Sequence, residues 1–379
     1  MTESRLKEYI DINPKVKLQK GEKYSSVEME KITVGQKVAD ANNKAEYTGK
    51  SCSKFLPNDT LMARITPCLE NGKIAKYESD TAGFGSTEFF VLRAKENKVT
   101  ADYVYYLSQT HYIRQLTVNS MTGASGRQRA DAKYIGNIKW NFPDIKIQIK
   151  IADILSAYDN LIENNNKRIR LLEQMAENLY KEWFVRFRFP GYEDVEFIDG
   201  FPKEWKICRM DQLAKIKAGG DAPADSTKEL TDECSIPIYS NGIENEGLYG
   251  YTSKAKISKP SITISARGTV GYTCLRRVHY TPIVRLICII PHEEKLANWL
   301  YYYFKRTIVI ANGTSQQQIT IPMMSREKVL FPTEDLINKF YDYSTAYLDE
   351  MDRLKEQNSN LKKQRDMLLP RLMSGKLEV

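Results

Sequence analysis

The sequence predicts an α+β protein: two similar mixed α/β globules separated by two long helices that pair as an antiparallel coiled coil, with a pseudo-twofold relation between the halves. Three observations predict it. The loops Gly123-Ala-Ser-Gly-Arg-Gln-Arg129 and Gly313-Thr-Ser-Gln-Gln-Gln-Ile319 place Gly, Ser and Gln in step. Phe142-Pro143 and Phe331-Pro332 follow them, at nearly the same interval. Each Phe-Pro then opens a long stretch with apolar residues at steps of three and four, in which Ala157-Tyr158 and Ala346-Tyr347 match. An internal repeat of this length is a structural unit used twice.

The first globule is assigned to residues 1–146. Thr60-Leu-Met-Ala-Arg64 and Phe89-Phe-Val-Leu-Arg93 have strand composition, and Asn71-Gly72 and Ala82-Gly-Phe-Gly85 are turn signals between them. A helix is expected over 101–115, with Tyr105, Tyr106, Ile113 and Leu116 facing the core. Ile138-Lys-Trp-Asn-Phe142 is a strand that ends at Pro143.

The period then changes to 3.6. Ile151, Ile154, Leu155, Tyr158, Leu161, Ile162, Ile169, Leu172, Met175, Leu179 and Trp183 recur at helical spacing, with no Pro or Gly between Asp144 and Phe189. The assigned element is a central helix over 147–189, roughly 38 residues and about 57 Å long at 1.5 Å per residue. Asn165 falls in its apolar seam. It either fixes register, as polar seam residues do, or marks fraying around Asn164-Asn-Asn166.

Pro190-Gly191 stops that helix, and the second globule is assigned to 190–333. Its turns fall at Asp199-Gly200, Gly219-Gly220, Asn241-Gly242 and Glu246-Gly247. Ser261–Ser265 and Ile283–Ile290 are its expected strands, and 296–310 is its counterpart of the helix at 101–115. The distal helix, within 334–379, has Leu336, Phe340, Tyr347, Met351, Leu354, Leu361, Leu368 and Leu372 on its seam, Asn358 as a polar interruption, and Pro370 near its end. A long amphipathic helix cannot bury its stripe alone, so the two are expected to pack together.

Composition excludes several chemistries. The chain has 379 residues, a net charge of +8 and 42% hydrophobic residues. The mild basic excess is compatible with a polyanion partner without requiring one. Six cysteines form no Cys-x-x-Cys pair, and only His111, His279 and His292 are present, so metal-ligand spacing is missing. No bound metal is expected. No Asn-Pro-Pro-Tyr or Gly-x-Ser-x-Gly motif occurs. Gly49-Lys50-Ser51 resembles the tail of a phosphate-binding loop, but Lys44 stands where the first glycine belongs. Glu70-Asn-Gly-Lys73 reads as a solvated turn rather than a nuclease centre. The polar N-terminus and the lack of a long apolar run predict a soluble, cytoplasmic protein with no membrane partner.

The candidate contact residues are Arg127, Gln128 and Arg129 in the first loop and Gln316, Gln317 and Gln318 in the second. The matching Ser125/Ser315 and Gln128/Gln318 suit a shared structural job, and the residues that differ, Gly126, Arg127 and Arg129 against Gln316, Gln317 and Ile319, are the expected discriminators. Arg pairs with guanine O6/N7 and Gln with adenine N6/N7 in the DNA major groove; an ordinary polar turn is the competing role. Arg64 and Arg267 end equivalent strands. Each is either a DNA contact or the partner of a buried carboxylate.

Several stretches closely resemble the specificity subunit of type I restriction–modification enzymes. They are Tyr9-Ile-Asp-Ile-Asn-Pro14, Leu61-Met-Ala-Arg-Ile-Thr-Pro-Cys-Leu-Glu-Asn-Gly-Lys73, Leu172-Glu-Gln-Met-Ala-Glu-Asn-Leu-Tyr-Lys-Glu-Trp-Phe-Val-Arg-Phe187, Ile238-Tyr-Ser-Asn-Gly-Ile243, Ser265-Ala-Arg-Gly-Thr-Val-Gly271 and Arg365-Asp-Met-Leu-Leu-Pro-Arg-Leu-Met-Ser-Gly-Lys376. The resemblance spans the whole chain in family order. It implies that each globule is a target recognition domain reading half of a split double-stranded DNA site. The helices would space the halves and dock partners, with Leu172, Leu179, Trp183, Phe184, Leu361, Leu368 and Leu372 on the docking faces. It further implies no catalytic site in this chain. The partners would be two methyltransferase subunits using S-adenosylmethionine, and restriction subunits using ATP and Mg. The alternatives are the recognition subunit of a fused methyltransferase–nuclease system, or a coiled-coil protein-binding scaffold.

Overall fold

The computed structural model describes residues 2–124, 126–266, 270–311 and 320–379. It divides into two compact units, Met1–Lys167 with Leu354–Val379, and Arg168–Arg353. Each unit therefore takes part of both long helices.

In the first unit, Thr2–Arg5 pairs antiparallel with Lys139–Phe142, Thr2 opposite Phe142, so the two ends of the globule close on each other. A four-stranded antiparallel sheet has the order Ile10–Ile12, Phe89–Ala94, Thr60–Ala63, Ile74–Lys76. Its central strands are buried on both faces. Strand residues alternate sides, so Met62 and Phe90 enter one apolar cluster while their neighbours Leu61 and Val91 enter another. The first cluster lies against the helices Ala101–Gln109 and His111–Asn119 and includes Ile151, Leu155 and Leu372 from the long helices.

The second cluster is shared with a sheet ordered Lys44–Glu46, Lys23–Val27, Gly83–Gly85, Ser53–Phe55. Lys23–Val27 runs parallel to Gly83–Gly85. Gly85 is required there, because a Cβ would lie 1.8 Å from the Val27 carbonyl oxygen.

The second unit repeats this plan. Lys206–Arg209 pairs antiparallel with Lys328–Phe331. A four-stranded sheet has the order Ala214–Ala218, Ile287–Pro291, Ser261–Ile264, Thr273–Arg276. A smaller sheet has the order Leu248–Thr252, Ile236–Tyr239, Thr281–Pro282, and its last pair is again parallel. Short helices Ala132–Asn137 and Ile321–Arg326 precede the closing strands, with Asp131 and Thr320 as their side-chain N-caps.

The long helices run Ile145–Phe184 and Glu334–Met373. Within each unit they pack antiparallel. In the first, Asn165 meets Asn358 and Asp159 meets Arg365. In the second, Arg168 bonds Glu350 at 2.7 Å, and Phe340 packs edge-on to Trp183 and Phe184. In the first unit Ile151 and Leu155 share an apolar cluster with Leu372, and in the second Ala176, Tyr180 and Trp183 share one with Leu336, Ile337 and Phe340.

Local expectations are corrected in four places. The central helix ends at Phe184, not 189, and Phe187 takes a φ of 58°. Ile154, Leu161 and Met175 point to solvent rather than into the seam. The expected strand 283–290 is broken: Val284 and Arg285 both have positive φ, and pairing resumes at Ile287. The helix at 101–115 is two helices that meet at Thr110, while its counterpart Leu296–Ala311 is continuous. Thr110 is extended and its hydroxyl accepts from Ile113 N–H, which caps the second helix.

Candidate nucleic-acid interface

The first glycine loop stands on a hydrogen-bonded base. Arg129 and Thr122 exchange N–H···O bonds of 2.9 and 3.0 Å, Thr66 N–H donates to the Gln128 carbonyl at 3.1 Å, and Ala130 N–H donates to the Arg64 carbonyl at 2.9 Å. Gly123 and Gly126 both have positive φ, a conformation that a side chain would strain. The loop is thus anchored at its foot and carries Arg127 at its exposed tip.

The three candidates in this loop are not equivalent. Arg129 is clamped by Glu88: its Nε lies 3.0 and 2.9 Å from the two carboxylate oxygens and Nη2 lies 2.7 Å from Oε1. That fork is the face Arg uses for bidentate recognition. The hydrogen bonds from Arg129, with the charges of Arg129 and Arg64, hold the Glu88 carboxyl below its ordinary range. Gln128 is partly buried and contributes its backbone to the loop base. The Arg127 side chain has no hydrogen bond or ion pair among the described residues, which leaves its donors available.

Arg64 does not take the expected role of partner to a buried carboxylate. It forms no ion pair among the described residues, its guanidinium sits 5.2 Å from the centroid of the Phe90 ring, and its buried Nε has no hydrogen-bond partner. It acts within the same cluster through its charge on Glu88. Glu88 is the residue that sequence reasoning missed. It stands 41 positions from Arg129, and only the sheet brings them together.

Arg267, Gln316, Gln317 and Gln318 lie outside the described residues. The described flank of the first of these is fixed: Ala266 N–H donates to the Asn241 side-chain oxygen at 2.9 Å, and the Asn241 amide donates to the Val284 carbonyl at 2.7 Å.

The expected docking residues divide by burial. Trp183, Phe184 and Leu372 are buried in the cores of their own units, so they cannot present a face to a partner. Leu172, Leu179, Leu361 and Leu368 are half-buried. Leu171, Met175 and Met367 are among the exposed apolar side chains of the same helices. Among the described residues no group of His, Cys, Asp and Glu could hold a metal ion, and no helix is long and apolar enough to cross a membrane.

Each unit thus carries the same central sheet plan beside a pair of segments from the long helices. Comparison with known proteins makes the class specific. A sequence model of the type I restriction modification DNA specificity domain matches residues 1–174 and again 202–360. The chain belongs to that family. The MjaIX specificity subunit of Methanocaldococcus jannaschii is 24% identical over 369 residues, covering 89% of this chain and 82% of that protein. The HindI specificity subunit of Haemophilus influenzae is 23% identical, covering 89% and 90%. A protein of Mycoplasma pneumoniae named as a type I specificity subunit is 27% identical over 247 residues, and the chain spans 63% of its length. The crystal structure of a type I restriction–modification S subunit from M. genitalium superposes with a TM-score of 0.58 at 17% identity, covering 98% of this chain and 96% of that one, and shares the fold.

Proposed function

We propose that each unit reads one half of a bipartite DNA sequence, and that the chain gives its partners an address without performing chemistry itself. The observation that carries this is the repeated sheet plan, the same in the strand order of its four-stranded antiparallel sheet, bearing loops with different polar groups. A shared scaffold with unlike readers suits two unlike half-sites on one duplex. In the first unit the reading residue is Arg127, whose free donors suit guanine, and Arg129 with Glu88 holds the loop in place. In the second unit Arg267 and Gln316–Gln318 take the corresponding role, with glutamine suited to adenine.

Catalysis falls to the partners in this reading. Two methyltransferase subunits bring S-adenosylmethionine, and restriction subunits bring ATP and Mg. They dock on exposed faces of the long helices, where Met175, Leu171 and Met367 accompany the half-buried Leu172, Leu179, Leu361 and Leu368. The assembly works in the cytoplasm. The test is to combine the chain with its methyltransferase partner, modify random-sequence DNA and read out the methylated sites. A two-part consensus with an unread gap is expected; a single uninterrupted consensus, or none, overturns the reading.

A further inference from the structure

Lys50 and Ser51 line a recess with Ser86 and Thr87, the residues just before the Glu88 that clamps Arg129. This recess of about 320 Å³ in the first unit is lined by Tyr47, Thr48, Lys50, Ser51, Ser86 and Thr87. Glu28 adds one carboxylate to this lining. Lys50 is exposed, and the Lys54 ammonium stands 4.9 Å from the Tyr47 ring centroid, so the recess lies in a basic neighbourhood. Its floor connects directly to the Arg129 clamp: the Ser86 hydroxyl accepts from Glu88 N–H at 3.2 Å. One short segment, Ser86–Glu88, thus borders the recess and also fixes the base-reading loop.

The second unit carries the same residues at the same point of its topology. Tyr47-Thr48-Gly49-Lys50 leaves the edge strand Lys44–Glu46, and Tyr251-Thr252-Ser253-Lys254 ends the edge strand Leu248–Thr252. After each, the chain pairs with the strand that runs parallel to the sheet's centre: Ser53–Phe55 with Gly83–Gly85, and Ile257 with Tyr280. The second copy is held rigidly. Asp225 accepts from the Thr252 hydroxyl at 2.7 Å and from Ser253 through N–H at 2.9 Å and hydroxyl at 2.6 Å. The Lys254 carbonyl accepts from the Thr281 hydroxyl at 2.8 Å. Lys254 itself is exposed.

Two readers of different half-sites share only one target feature, the phosphate backbone. Residues that differ between them suit bases, and residues that repeat suit phosphates. The exposed lysine ammonium is what the two loops share, since the Thr252 and Ser253 hydroxyls of the second are engaged by Asp225, and an ammonium is a partner for a phosphate diester oxygen. We infer that the Tyr-Thr-x-Lys loops are matched phosphate-positioning sites, Lys50 in the first unit and Lys254 in the second, which set each reading loop at its depth in the groove.

The inference rests on the proposal that both units bind DNA, and the experiment separates the two. Binding of the full chain, in complex with its methyltransferase partner, to a mixed-sequence duplex is measured across a series of salt concentrations. Each neutralised phosphate contributes about −0.9 to the slope of log affinity against log salt. Lys50→Ala and Lys254→Ala should each make the slope shallower by about 0.9, and the double variant by about 1.8, with the methylated consensus unchanged. Lys50→Arg should retain the wild-type slope, which separates lost charge from lost folding. Unchanged slopes in the alanine variants, beside salt-sensitive wild-type binding, overturn this inference alone. Wild-type binding without salt dependence overturns the DNA reading and the inference with it.

Discussion

Asn165 and Asn358 meet across the helix seam of the first unit, the Asn165 amide donating to the Asn358 side-chain oxygen at 3.0 Å. The Asn358 amide donates in turn to the Asn166 oxygen at 2.9 Å. Asn165 and Asn358 are each only 6% exposed. An amide buried in an apolar seam is tolerated when it finds a partner, and these partners exist in one register only. Shifting either helix by one turn would bury each amide against leucine or isoleucine.

Asn358→Ala leaves the Asn165 amide short of its partner and should destabilise the chain by about 1–3 kcal/mol in chemical denaturation. The double variant Asn165→Leu with Asn358→Leu should recover that loss or exceed it, at the cost of register. Its expected signature is a higher unfolding midpoint with extra resonances or broadened lines from the helices. A double variant as unstable as the single would refute the register role.

The second polar contact of this seam is ionic. Arg365 Nη1 lies 2.5 Å from an Asp159 oxygen whose neighbour accepts from the Tyr106 hydroxyl at 2.6 Å. Both charged side chains are largely buried, at 12% and 4% exposure. Burial and the Asp159 carboxylate together drive the Tyr106 phenol well above its ordinary range. Arg365→Met strands the carboxylate and should cost about 3–5 kcal/mol. Adding Asp159→Leu should restore most of it. A small effect of the single substitution in urea melts would show that the carboxylate has another partner.

Acid should loosen the Gly123–Arg129 loop before it unfolds the chain. The folded pKa of Glu88 lies below its unfolded value because Arg129 bonds the ionised form. Its contribution is therefore fully present above an unfolded carboxyl pKa of about 4.3 and is lost as pH falls through the lower folded value. Glu88→Gln should behave at neutral pH as the wild type does in acid. The measurement is amide hydrogen exchange of residues 122–130 across that pH range; equal protection in both proteins at neutral pH would remove Glu88 from the account.

Arg127 and Arg129 should separate in a specificity assay. Arg127→Ala should relax one base position of one half-site, a loss of about 1–3 kcal/mol of discrimination. Arg129→Ala should weaken that half-site without changing which base is preferred. The same methylation map reads both, and relaxed specificity in Arg129→Ala alone would exchange the roles.

How much of this was legible follows from the range of each interaction. Helical spacing and the paired Phe-Pro signals are local, so the two long helices and the doubling could be read directly. Asn165 and Asn358 were visible as polar interruptions of two seams, but nothing local says that they face each other across 193 positions. The break at Val284-Arg285 was hidden because an apolar run with strand composition carries no sign of a left-handed bend. Seam residues were overcounted for a similar reason: steps of three and four admit Leu161 and Met175, and only the partner helix decides which flank is covered. At the interface, Arg127 and Arg129 looked alike in sequence. The strand register that brings Glu88 to Arg129 is what distinguishes them.

The two units should read independently. This is tested most directly by replacing residues 1–146 with the corresponding module of a relative of different specificity, then mapping methylated adenines in cells that express the complete system. A two-part site in which one half changes and the other half is retained is expected. A change in both halves, or methylation with no two-part sequence, would contradict it.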